Sequence, residues 1–266
     1  MISKFLAALL VLVISTSAMA TSVSLLHGSN FRDDQGYEKE RTTYTIEHFG
    51  VWELGTVFFF YDITDPFSAP PNVRANNGKG HKRGSNQFFG ATMATLSWNK
   101  MFGVDFGKGF VRDISFMGVF ENGSGNGRFG FRNYFYGLQA DLNMPGFDFF
   151  SFNTVLRDNP LDPGVGVQIG MFWQMSHEWA KWRRFKFTGF LATSPWDGDG
   201  DKDNPSVDGK GRFLTTQPQL LWDLGNGLWG KPNRLEVGAE YGYFLNRFQA
   251  PHKDEKVLQA MVKLSW

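Results

Sequence analysis

The chain contains no cysteine. Disulfides therefore cannot hold it together, and stability must come from burial or from lipid. Beyond residue 20, no apolar run approaches the roughly 18 residues of a membrane-spanning helix, which excludes a helical membrane protein. The 266 residues carry 27 Lys+Arg against 26 Asp+Glu, so no basic surplus favours a nucleic-acid polymer. His48, His81, His177 and His252 are scattered without zinc-ligand spacing.

The N-terminus holds one processing signal. Lys4 precedes an apolar stretch over residues 5–14, and Ala18-Met19-Ala20 reads as a small-x-small cleavage site. Residues 1–20 are read as a secretory signal peptide and residues 21–266 as one outer-membrane β-barrel domain. Removing Lys4 leaves 26 basic against 26 acidic residues.

What the chain has in abundance is aromatic: 17% of residues, with 28 Phe and 9 Trp beside 31 Gly, although mean hydropathy is slightly negative. Many large rings in a modestly polar sequence suit a sheet that is apolar on one face and wet on the other. The alternation agrees. Leu235, Val237, Ala239, Tyr241, Tyr243 and Leu245 interleave with Glu236, Gly238, Glu240, Gly242, Phe244 and Asn246. Leu258, Ala260, Val262, Leu264 and Trp266 interleave with Gln259, Met261, Lys263 and Ser265.

The same period places strands near 22–29, 41–50, 56–65, 87–98, 111–121, 130–142, 149–158, 165–175, 184–194, 212–224, 234–246 and 256–266. Alternate connections are tight, at 51–55, 99–103, 143–147, 177–183 and 225–233. The others, at 30–40, 66–86, 122–128, 159–164, 195–211 and 247–255, are longer or more polar. The expectation is an all-β, transmembrane antiparallel barrel of about 12 strands, because lipid offers no partner to an unpaired strand edge. Trp52, Trp98, Trp173, Trp179, Trp182, Trp222, Trp229 and Trp266 flank strands and read as an interfacial girdle.

Several segments resemble the Tsx nucleoside-specific channel-forming proteins of Gram-negative outer membranes. They are Thr45-Ile46-Glu47-His48-Phe49-Gly50-Val51-Trp52, Phe58-Phe59-Phe60-Tyr61-Asp62, Ala140-Asp141-Leu142-Asn143-Met144-Pro145-Gly146-Phe147-Asp148, Thr216-Gln217-Pro218-Gln219-Leu220-Leu221 and Gln259-Ala260-Met261-Val262-Lys263. The resemblance implies a twelve-stranded barrel with a narrow lumen that passes nucleosides down their gradient. The loops at 69–86 and 197–211 depart from that pattern.

Strand parity selects the inward residues. Thr43, Thr45 and Glu47 oppose Tyr44 and Ile46; Phe58, Phe60 and Asp62 oppose Phe59, Tyr61 and Ile63; Asn133, Phe135, Gln139 and Asp141 oppose Tyr134, Tyr136 and Leu138. Thr215, Gln217 and Gln219 oppose Leu214 and Leu220, with Asn153, Arg157 and Glu240 joining the inner set. Glu47, Phe58, Phe60, Asp62, Phe135, Asp141, Arg157, Gln217, Gln219 and Glu240 are the lumen candidates for substrate binding. Rings can stack on a base, and amides and carboxylates can hold ribose hydroxyls.

Other patterns are weaker. Asp197, Asp199, Asp201, Asp203 and Asp208 follow the spacing of a calcium loop, but Lys202 stands where glycine is wanted. His27 and Ser29 share the His-x-Ser spacing of outer-membrane phospholipases, the alternative enzymatic reading. Gly123-Ser124-Gly125-Asn126-Gly127 lacks the Lys-Ser/Thr of a phosphate loop. A third reading is a filled barrel whose loops serve adhesion or a receptor role. No cofactor is implied. The expected partners are outer-membrane lipid, nucleosides or other small polar solutes, and the barrel-assembly machinery, engaged through the C-terminal strand.

Overall fold

The computed structural model describes residues 18–32, 38–66, 87–106, 109–125, 129–158, 165–180, 182, 184–194, 212–246 and 254–266. Apolar–polar alternation across these residues produces strands β1 (Ala18–Arg32), β2 (Glu38–Trp52), β3 (Gly55–Thr64), β4 (Gln87–Ser97), β5 (Val111–Gly125), β6 (Phe129–Leu142) and β7 (Phe149–Asp158). They are followed by β8 (Val165–Glu178), β9 (Arg184–Ser194), β10 (Phe213–Thr216), β11 (Gln219–Asp223), β12 (Leu235–Leu245) and β13 (Glu255–Ser265). Each pairs antiparallel with its neighbour, and β13 pairs with both β12 and β1, so the sheet has no free edge.

β10 and β11 occupy one place, both lying between β9 and β12. Thirteen segments therefore make twelve staves. The sequence reads 212–224 as one strand; Pro218, which has no N–H to give the ladder, divides it. Bonds close around the gap, with Gln217 N donating to Phe190 O (3.2 Å) and Tyr241 N to Pro218 O (2.9 Å).

Two of the tight connections contain helical turns, which period-two reading does not detect. α1 (Trp98–Phe102) is capped by Ser97, whose hydroxyl accepts from Lys100 N at 3.1 Å, and it ends at Gly103 with φ +64°. α2 (Leu224–Trp229) is capped by Asp223, which accepts from Asn226 N at 2.9 Å, and it ends at Gly230 with φ +64°. The connection after β4 thus runs to residue 110 rather than closing by 103. On the opposite side, β5 and β6 continue toward each other until only 126–128 separate them. Strands of 15 and 14 residues exceed the roughly 9–11 needed to cross a bilayer, so this hairpin stands beyond it.

Residues 1–17 lie outside the described residues. Ala18, Met19 and Ala20 extend β1 but pair only with β2. The closing seam begins at Thr21, whose N donates to Trp266 O (3.3 Å) and whose O accepts from Trp266 N (3.0 Å).

Burial identifies the faces. In β13, Glu255, Val257, Gln259 and Met261 are buried, while Lys256, Leu258, Ala260 and Val262 are exposed. Ladder partners share a face, so the register carries this assignment around the barrel. Two apolar clusters fill parts of the inside: Leu26, Leu221 and Met261 near the seam, and Met117, Phe135 and Val155 on β5–β7.

Candidate functional site in the barrel lumen

Nine of the ten lumen candidates lie on the inner face by strand register. Glu240 is opposite Gln259 and Gln219; Glu47 is opposite Phe60, and Asp62 opposite Thr45; Phe58 is opposite Met93; Asp141 is opposite Ser151; Phe135 is opposite Arg157. Gln217 reaches the same wall through its side chain. They do not form one site. The structure sorts them into three neighbourhoods.

The first surrounds Glu240. Its carboxylate accepts from three glutamine amides: Gln217 Nε2 (3.0 Å) and Gln259 Nε2 (2.9 Å) on Oε1, and Gln219 Nε2 (2.8 Å) on Oε2. Positions 217 and 219 both point inward across the Pro218 break, which lets one amide reach each carboxylate oxygen. Asp62 accepts from Thr45 Oγ1 at 2.6 Å and is close enough to Glu240 and Glu47 for their charges to repel. Beside Asp62 runs an inward ladder of rings. Phe58–Phe60, Phe60–Phe89 and Phe89–Phe131 have centroids 6.2, 5.7 and 6.0 Å apart. Phe58 and Phe60 are half-buried on the inner face.

The second neighbourhood is an ion belt toward the short-turn rim. Lys263 bonds Glu47, which also accepts from Ser22 Oγ at 3.0 Å. Lys186 Nζ lies 2.6 Å from Glu236 Oε1, an ion-pair contact outside hydrogen-bond geometry, and Glu236 is 0% exposed. Arg184 Nε lies 3.3 Å from Asp223 Oδ2, the oxygen that also accepts from Asn233 N at 2.7 Å. Lysine or arginine matches each of these carboxylates.

The third lies on the β5–β7 wall. Phe135, 5% exposed, packs with Met117 and Val155 and is not an open platform for stacking. Arg157 sits over Phe135 (5.8 Å) and Phe213 (5.5 Å) and interacts electrostatically with Glu121. Asp141 stays near the turn end of β6, taking Gln139 Nε2 at 3.0 Å and Arg112 at 3.7 Å.

Parity alone did not single out Gln259, Lys263, Lys186, Glu236, Asp223, Arg184, Phe89, Phe131 or Glu121 as site residues. The alternation of β12 and β13 marked Glu236, Gln259 and Lys263 as inward, but gave no sign of the partners they meet.

The weaker motifs find different places. His27 Nδ1 hydrogen-bonds Thr42 Oγ1 at 3.0 Å, and the register shifts between Gly28 and Phe31, with Asn30 at φ +69°. The regular strand that would set His27 and Ser29 side by side is therefore interrupted. Asp197, Asp199, Asp201, Asp203 and Asp208 lie outside the described residues. Gly123, Ser124 and Gly125 continue β5 rather than starting a loop.

The outer wall is apolar, with Leu25, Ile46, Phe116, Leu138, Leu156, Leu220, Leu258 and Val262 all exposed. All eight girdle tryptophans lie in the short-turn half, seven at strand ends or within turns and Trp173 inside β8, five residues before its end, so they form one belt rather than two. The opposite half of the outer face carries Tyr44, Tyr61, Tyr134, Tyr136, Tyr241 and Tyr243. Two aromatic belts around a greasy, edgeless wall satisfy hydrocarbon between two wet interfaces. The protein is an integral outer-membrane β-barrel.

No protein-family model matches the chain, and no curated protein sequence matches it. Among solved structures, the chain is similar to the KdgM porin in complex with disordered oligogalacturonate, at 12% identity and a TM-score of 0.44, over 92% of this chain and 99% of that one. It is also similar to Pseudomonas putida OprB at 10% identity and 0.38, over 99% and 97% of the two chains. The translocator domain of the autotransporter NalP from Neisseria meningitidis aligns at 9% identity and 0.37, over 99% and 93%.

Proposed function

We propose that the barrel is a passive channel for nucleosides or small polar solutes of similar size. The observation that carries this reading is the meeting of two chemistries in one lumen. The Phe58–Phe60–Phe89–Phe131 ladder runs beside Asp62, across from the Glu240 cluster. A base can move along rings that favour no particular base, each stack worth roughly 1–3 kcal/mol. Ribose hydroxyls are donors, and Asp62, Glu240 and the glutamine carbonyls are acceptors. Binding must stay weak for the solute to leave, and a Kd of about 1 mM corresponds to about −4 kcal/mol, the scale of one or two such contacts.

The proposal extends to assembly. The mature chain begins at Thr21, where the seam begins, and β13 with Trp266 is the segment presented to the barrel-assembly machinery.

Planar-bilayer recording tests the channel. Purified barrel conducts, and added adenosine or uridine interrupts the current reversibly, while a hexose of similar size does so less. Phe60→Ala weakens the block. Equal block by sugar and nucleoside would remove the nucleoside specificity; a silent barrel would remove the channel.

A further inference from the structure

We infer that the mid-lumen cluster of Asp62, Glu240 and Gln259 is a transit site for small cations, and that the channel passes cations in preference to anions. This rests on the channel reading above and adds a charge rule to it.

The lumen treats its acids unequally. Glu47, Glu236 and Asp223 each meet a lysine or arginine. Among the described residues, Asp62 and Glu240 meet only neutral hydrogen-bond donors, Thr45 and three glutamines, and each also feels the charge of Glu47. Neutral donors orient a carboxylate but do not cancel its charge.

A second, independent feature points to the same place. Gln259 is 5% exposed, and its Oε1 has no hydrogen-bond partner. Its Nε2 is committed to Glu240 Oε1, so the orphan carbonyl oxygen belongs to an amide that this carboxylate already holds. Exchanging the amide's O and N would set oxygen against oxygen and is worse. An unpartnered buried acceptor beside an uncompensated carboxylate is costly unless something positive visits. A potassium ion or a primary ammonium supplies that charge. Among the described residues, no group of three metal-ligating side chains gathers. Two carboxylates and one amide oxygen are few ligands beside the roughly six to eight oxygens that hold a calcium ion, which suits a monovalent cation that passes. Weak, oxygen-only binding is also what conduction demands.

The test is the reversal potential of the full barrel in a planar bilayer under a KCl gradient. The expected sign is cation-selective, with potassium favoured over chloride by about fivefold, the scale of one uncancelled charge at contact distance in water. The Asp62→Asn/Glu240→Gln double variant, checked as folded by heat-modifiable gel mobility, loses that preference. Asp62→Asn alone, which keeps the glutamine cluster, loses part of it. Glu53→Gln, in an exposed turn, leaves it unchanged. A conducting wild-type barrel with no preference, or one that favours chloride, overturns the inference and leaves the channel standing, with no variant needed. A cation preference that persists in the folded double variant also overturns it. A silent barrel overturns both readings.

Discussion

Two groups of buried acids lie in one lumen and are treated in opposite ways. In the short-turn belt, Glu47, Glu236 and Asp223 are matched by Lys263, Lys186 and Arg184. Glu240, one inward turn of the pleat beyond Gly238 on β12, and Asp62, on β3 beside β2, are held by amides and a hydroxyl. The belt closes its electrostatics within the protein and binds staves β2, β9, β11, β12 and β13 together. The acceptor cluster leaves its charge facing the lumen, where a solute can answer it. The lesson is that inward polarity is not one property. A matched pair reads as structure, and an unmatched acid beside an orphan acceptor reads as a place for something else.

The sharpest way to break this comparison is to remove one member of the belt. Lys186→Met strands Glu236, which is 0% exposed, without its cation. Breaking a buried pair from one side costs about 3–5 kcal/mol, and urea unfolding in detergent should show a loss of that size. Glu240→Gln removes a charge that no lysine or arginine among the described residues pairs, and about 1.5–3 kcal/mol is the corresponding loss for a hydrogen bond to a charged group. If the two losses were equal, the distinction between belt and cluster would disappear.

The two inward phenylalanines sharpen it differently. Phe135→Ala empties a packed site and should cost about 3–5 kcal/mol of stability while leaving nucleoside block unchanged. Phe60→Ala should do the reverse, weakening the block constant by roughly 5- to 150-fold, the equivalent of one lost stack, with a smaller effect on unfolding. Single-channel block and urea titration of both variants would decide. Loss of block in Phe135→Ala would return that ring to the site.

These pairs also mark what could be read from the sequence. The strands were legible because a residue facing lipid and a residue facing water alternate with period two, and the inner set from Glu47 to Glu240 followed from that rule alone. The Pro218 break was visible as a proline but was absorbed into one long run. α1 and α2 were not legible as helices, since one turn has no periodicity; only Ser97 and Asp223 hinted at caps. The neighbours across the lumen were beyond reach. Lys263 and Glu47 stand 216 positions apart, and only closure of the barrel sets them together. Nor does alternation separate Phe60 from Phe135. Both face inward, and what divides them is that Met117 and Val155 cover one ring and not the other.

Backbone spacing offers a further test, of smaller size. Gly238 lies on the inner face of β12 between Glu236 and Glu240, opposite Leu221. A Cβ there would come within 2.9 Å of Leu221 Cα, a backbone atom that cannot rotate away. Gly238→Ala should push β12 from β11 and cost about 1–3 kcal/mol, as overpacking does. Because the displaced strand carries both Glu236 and Glu240, its cation preference and its unfolding midpoint should shift together, unlike those of any single-acid variant.

The smallest expected effect comes from making one chemical edit in both regions. Glu47→Gln and Asp62→Asn each turn an inward carboxylate into an amide. At Glu47 the edit leaves Lys263 facing a neutral group, in a belt built on matched charge, and stability should fall measurably. At Asp62 the amide oxygen can still accept from Thr45 Oγ1, and the repulsion from Glu240 and Glu47 is relieved. The change in unfolding free energy there should stay below about 1 kcal/mol, the net worth of an ordinary hydrogen bond, and it can even be favourable. The two urea midpoints, measured side by side, carry the comparison: a clear loss at Asp62 would show that this carboxylate is structural, like those of the belt, and would take away the free charge on which a cation's passage depends.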